Sequence, residues 1–166
     1  VVKQKNILDK RGSLKVIFND KFFKNKKFKY EYYSLSKKNV VRGFHFQTKN
    51  QQIKYISVLK GKILDCVVDL RKNSKTFGKI FKIILSEANN KGLIIPKGFG
   101  HAYLSLTNDS IVYYKMSDYF RPDYYSGIIF NDKKLKVNWP KKKFIISSKD
   151  LKLNSFNKFC LKYKGI

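Results

Sequence analysis

His45 and His101 are the only imidazoles in a chain of 166 residues. Each lies among glycine and aromatic side chains, in Arg42-Gly43-Phe44-His45-Phe46-Gln47 and in Pro96-Lys97-Gly98-Phe99-Gly100-His101. A neutral imidazole can remove a proton near pH 7, and a carboxylate on its other nitrogen fixes the tautomer. Asp65, Asp69 and Asp150 are the candidate partners. Lys54 stands among apolar neighbours in a strand pattern, where an ammonium could face a developing anion; a solvated, outward lysine is the competing reading. Tyr113 and Tyr114 lie mid-strand. A phenol there can return a proton, although most such tyrosines are core residues with one hydrogen bond. One histidine in a strand is more often a satisfied core residue than a catalyst. Two in glycine-flanked contexts favour a shared site.

Metal chemistry fits the pattern poorly. A catalytic site generally takes three protein ligands, and the position two after His45 is Gln47. The only glutamates, Glu31 and Glu87, are not spaced to help. Cys66, inside an apolar run, reads as a buried thiol, and with Cys160 it makes neither a disulfide framework nor a cysteine metal site. Phosphate-binding glycine loops and nucleophile elbows are missing from the sequence.

The elements that must position these residues are short strands. Runs rich in Val, Ile, Phe and Tyr cover residues 14–18, 28–33, 40–47, 53–59, 62–70, 79–85, 93–95, 101–106 and 110–116. Turn chemistry separates them, at Lys60-Gly61-Lys62, Asn89-Asn90-Lys91-Gly92, Pro96-Lys97-Gly98 and Thr107-Asn108-Asp109. Residues 149–163 form the best helical candidate. Without an internal repeat or linker, residues 1–166 are expected to form one all-β domain, a sandwich or barrel.

Composition supports a packed core, with 43% hydrophobic and 16% aromatic residues, and excludes global disorder. The formal net charge of +26 suggests a polyanionic partner. Only Arg11, Arg42, Arg71 and Arg121 are arginines, however, and the lysines are scattered along the chain. The favoured reading is compositional drift, of the kind that also enriches Asn, Ile, Phe and Tyr. Apolar runs fall short of the ~18 residues a membrane span needs. A signal peptide is not visible, and the cytoplasm is the expected compartment. Val1 rather than Met opens the chain, which leaves open whether residues precede it.

The motifs resemble those of dTDP-4-dehydrorhamnose 3,5-epimerases. Val41-Arg42-Gly43-Phe44-His45-Phe46-Gln47 is similar to that family's Leu-Arg-Gly-Leu-His-Phe-Gln. Asp9-Lys10-Arg11-Gly12, the run from Lys62 through Asp65, Asp69 and Arg71 to Gly78, Ile95-Pro96-Lys97-Gly98-Phe99-Gly100-His101, Tyr114-Lys115, Asn131-Asp132, Trp139-Pro140 and Ser148-Lys149-Asp150 follow in family order. The resemblance implies a cupin-type jelly-roll barrel (a double-stranded β-helix) with a short C-terminal helix. It further implies a homodimer, independence from metals and other cofactors, and epimerisation at C3 and C5 of a nucleotide-linked 4-keto-6-deoxy sugar. By motif, His45 is the base, Asp150 its orienting carboxylate, Lys54 the oxyanion-stabilising cation and Tyr114 the proton donor on the opposite face. His101, Gln47 and Phe120 belong to the substrate pocket, Arg42 binds the diphosphate, and Arg11 reaches into the neighbouring subunit's site.

The chain departs from the family pattern at several positions. Tyr32-Tyr33-Ser34-Leu35-Ser36 stands where an Asn-x-Ser-x-Ser stretch is usual. Phe120 replaces a second tyrosine, Tyr125 an acidic residue and Phe130 a tryptophan. These changes bear on the nucleotide, the sugar and whether both carbons are inverted. The alternatives are a 3-epimerase or 3,4-ketoisomerase on a related sugar nucleotide and, less favoured, a basic nucleic-acid-binding module. The leading reading has neither nucleic acid nor membrane as a partner.

Overall fold

In a computed structural model, residues 1–23, 27–140 and 143–166 are described. Twelve strands run β1 Val2–Lys3, β2 Lys5–Asp9, β3 Gly12–Val16, β4 Tyr30–Ser36, β5 Val41–Gln47, β6 Lys54–Lys60, β7 Lys62–Asp69, β8 Ile80–Ser86, β9 Lys91–Ile95, β10 Phe99–Ser105, β11 Ser110–Met116 and β12 Tyr125–Gly127. One five-stranded antiparallel sheet has the order β1-β9-β6-β11-β4 and the other β12-β5-β10-β7-β8, while β2 and β3 form a separate hairpin. The pattern is the cupin-like jelly roll.

Alternation along the strands builds two hydrophobic layers. Ile56, Val58, Val112 and Met116 of the first sheet pack with Ile63, Val67 and Tyr103 of the second, filling the space between them. On the outer face of the second sheet, Phe44, Phe46, Cys66, Val68 and Ala102 are covered by Leu135, Val137, Phe156 and Phe159. Strand β7 is therefore buried on both faces, which explains its nearly unbroken apolar run. Each fully buried side chain of this kind contributes roughly 1.5–3 kcal/mol.

Nine of the strands match the runs expected from sequence, shifted by one or two residues at most ends. Strands β1 and β12 are too short to give a sequence signal, and β2 sets only Ile7 and Leu8 among polar residues. The C-terminal helix is corrected: it divides into α1 Ser148–Leu151 and α2 Phe156–Tyr163. Ser147 caps the first, accepting from the Asp150 amide, and Ser155 caps the second, accepting from the Lys158 amide. Asn154 between them is extended and bridges to Ile128, with its carbonyl accepting from the Ile129 amide at 2.9 Å. Among the described residues, no helix is long and apolar enough to cross a membrane.

Candidate active site

A cavity of about 230 Å³ opens between the sheets, lined by Arg42, His45, Gln47, Lys54, His101, Tyr114, Phe120 and Tyr125 among others. Strand β5 supplies three of these through an irregularity in its backbone. His101 pairs with His45 and Tyr103 with Arg42, so β5 carries one residue more than β10 between these pairs. Regular alternation would send Arg42 and His45 to opposite faces; the bulge brings both to the cavity. Gly43 makes this possible. Its φ is +116°, and a Cβ there would lie 2.4 Å from the His101 carbonyl oxygen, so a side chain is excluded on both counts.

His45 Nε2 lies 2.8 Å from Asp150 Oδ1. The other carboxylate oxygen of Asp150 accepts the Gly43 amide at 3.2 Å. Burial pushes the Asp150 carboxyl upward, but these bonds outweigh it and hold the group below its ordinary range. An ionised Asp150 accepts the Nε2–H of His45 and leaves Nδ1 as the basic nitrogen. Burial lowers the His45 pKa despite the carboxylate, so the ring is neutral at pH 7. Of the three candidate carboxylates, Asp150 thus serves His45. Asp65 pairs with His101 at 2.8 Å, and Asp69 accepts from Arg71, Ser74 and Thr76.

Lys54 crosses from the first sheet, its Nζ donating to the His45 carbonyl oxygen at 3.2 Å. Burial drives its pKa down to about 8, opposed by the nearby negative charge of Asp65. Its side chain lines the cavity rather than the outer surface. Tyr114 projects from β11 on the wall across from His45, and burial raises its phenol well above the usual range. Its neighbour Tyr113 points the other way and donates to Glu31 on the outer surface.

The remaining expected residues divide. His101 and Phe120 line the cavity. Gln47 does too, but its amide donates to the Asn50 carbonyl at 2.8 Å and accepts the Arg121 amide at 2.7 Å, which makes it a brace for the surrounding loops. Arg42 sits at the mouth, donating to Ser36 Oγ at 3.1 Å. Arg11 is outside this cavity, at the exposed tip of the β2–β3 hairpin, paired with Asp9 at 2.6 Å. Unforeseen lining residues are Tyr30, Tyr32 and Ser34 of β4, with Gln52, Tyr103 and Met116. The two-residue spacing of Tyr30, Tyr32 and Ser34 was the signal that could have found them. Among the described residues, no three His, Cys, Asp or Glu side chains converge as a metal site would require.

The model of the family described as dTDP-4-dehydrorhamnose 3,5-epimerase matches residues 1–158. The chain belongs to that family. Its relative in Methanothermobacter thermautotrophicus, named dTDP-4-dehydrorhamnose 3,5-epimerase, is 38% identical over 149 residues, covering 86% of this chain and 80% of the relative. The family enzyme of Bacillus anthracis, solved with TDP and PPi bound, superposes with a TM-score of 0.89 at 36% identity, over 92% of this chain and 91% of that one. The Legionella pneumophila dTDP-6-deoxy-D-glucose-3,5-epimerase, in complex with dTDP-4-keto-L-rhamnose, gives a TM-score of 0.90 at 34% identity, over 93% and 86% of the two chains.

Proposed function

We propose that this protein inverts C3 and C5 of a dTDP-linked 4-keto-6-deoxyhexose, converting dTDP-4-dehydro-6-deoxyglucose to dTDP-4-dehydrorhamnose. One observation carries the reading: a carboxylate-oriented neutral histidine and a buried neutral phenol stand on opposite walls of one cavity in a chain of this family. Hydrogens at C3 and C5 are both α to the C4 ketone. His45 removes one, and the electron pair of the broken C–H bond passes to the C4 oxygen as an enolate. The Lys54 ammonium stabilises that oxyanion. Tyr114 then protonates the carbon from the other face, which inverts it. The phenolate regains a proton from water, and the His45 imidazolium releases its own. The ketone itself activates the hydrogens, so the sequence calls for no cofactor.

Arg42, held at the mouth by Ser36 and the Leu35 carbonyl, binds the diphosphate. The exposed Arg11 reaches the neighbouring site in a homodimer, where its hairpin also buries Ile7, Leu8 and Leu14, all exposed in the single chain. The protein acts in the cytoplasm as a single domain, with sugar nucleotide as its partner rather than nucleic acid or membrane.

Incubation with dTDP-4-keto-6-deoxyglucose in deuterated water tests the proposal. Deuterium is expected at C3 and C5; no incorporation from dTDP-, GDP- or UDP-linked 4-keto sugars would reject it. Label at C3 alone would favour a 3-epimerase. That second reading draws on Phe120 and Tyr125, which depart from the family pattern: the Tyr125 ring lies 5.4 Å from the His45 imidazole and Phe120 packs edge-on against Tyr125 at 5.7 Å.

A further inference from the structure

Tyr32 lies directly opposite Tyr114 in the β4–β11 ladder. Their rings are nearly parallel, 4.7 Å apart between centroids at an angle of 11°. Tyr30 stacks on Tyr32 at 5.8 Å and Tyr119 on Tyr30 at 6.0 Å. Four phenol rings thus stack in succession from Tyr119, which is 54% accessible, through Tyr30 and Tyr32 to Tyr114, which is 6% accessible. The His101 ring meets Tyr114 edge-on at 6.0 Å. The proton donor is therefore held on a face by Tyr32 and at an edge by His101. The asparagine usual at this position in the family has no ring with which to do this.

We propose that Tyr32 is a positioning residue for Tyr114: the stacked ring holds the phenol against the sugar face opposite His45, so that the enolate is protonated with inversion. The inference rests on the epimerase reading above. An enolate has two fates in this cavity. Either the Tyr114 O–H bond breaks and its proton joins the carbon from the far face, or the His45 imidazolium returns a proton to the face it came from. Once that imidazolium has exchanged with solvent, the second fate leaves label without inversion. A donor displaced by about 1 Å can lose on the order of a hundredfold in rate, so the balance between the two fates reports where the phenol stands.

The experiment compares the unmodified protein, Y32N and Y32F in deuterated water, with dTDP-4-keto-6-deoxyglucose as the probe. The readout is the ratio of exchange with retention to exchange with inversion, together with KM and kcat. Y32N is expected to raise the ratio on the order of tenfold, lowering kcat for inversion with little change in KM. Y32F keeps the ring and is expected to retain the unmodified ratio. A purely structural role would lower both exchange routes together and leave the ratio unmoved. An unchanged ratio in Y32N, or a Y32F ratio that moves with it, overturns the proposal. Should Y32N not fold, Y32L fills the volume without a flat ring and carries the same comparison. Absence of any exchange in the unmodified protein overturns the epimerase reading, and this proposal with it, which keeps the two failures distinct.

Discussion

The molecule holds two histidine–carboxylate pairs, each with an imidazole Nε2 2.8 Å from an aspartate oxygen. His45 is 29% exposed and draws its partner Asp150 from a helix more than a hundred residues away, whereas His101 and Asp65 are 5% and 0% exposed. The first pair meets the cavity with an imidazole able to take and release a proton. The second sits within the sheet, His101 braced against Tyr114 and Asp65 lending its charge to Lys54. The same bond thus serves two purposes, and the exposure of the imidazole separates them.

The largest expected effect breaks the exposed pair. H45N is expected to reduce deuterium incorporation by about 10²–10⁴, with the thermal midpoint little changed. The buried pair responds in the opposite sense. H101A leaves Asp65 buried without its partner and is expected to cost about 3 kcal/mol of stability in urea unfolding. Equal losses of stability in the two variants would contradict the division.

The pH dependence sharpens it further. His45 must be neutral to act as a base, and its pKa lies below the ordinary 6.5, so kcat/KM is expected to rise with pH through an acid limb below that value. Lys54 must be charged, and its pKa of about 8 sets the alkaline limb, where activity falls as the ammonium deprotonates. K54R should move that limb upward. D65N removes the charge that favours the ammonium, and the limb should move downward. A limb that ignores both variants would remove Lys54 from the oxyanion role.

The smallest effect on the isolated fold belongs to Arg11, exposed at the hairpin tip. R11A is expected to leave the thermal midpoint of the single chain unchanged and to lower kcat/KM, because its proposed contact is with the neighbouring site. Unchanged turnover would place Arg11 outside the substrate's reach.

Much of the site was legible in residue types. Gly43 beside His45, the apolar frame of Lys54 and the mid-strand position of Tyr114 each carry a local reason that survives in the structure. Period-two alternation misleads at Arg42 and His45, since no propensity announces where an extra residue will be absorbed. The helical reading of 149–163 failed at Asn154, whose extended backbone is required by a bridge to Ile128, a partner that composition does not reveal. Tyr32 showed as a departure from the family pattern, and its meaning emerged only when β4 was laid against β11.

By itself the sequence determined the strand-rich class, the chemistry available and the motifs of the family, because turn residues, alternation and side-chain pKa ranges are local properties. Tertiary structure alone decided that Asp65 serves His101, that Lys54 points inward, and that an extra residue in β5 turns Arg42 and His45 to one face. Those outcomes depend on pairing between strands and on contacts between residues far apart in the chain, and burial, which shifts the pKa values, exists only once both sheets have closed over the cavity.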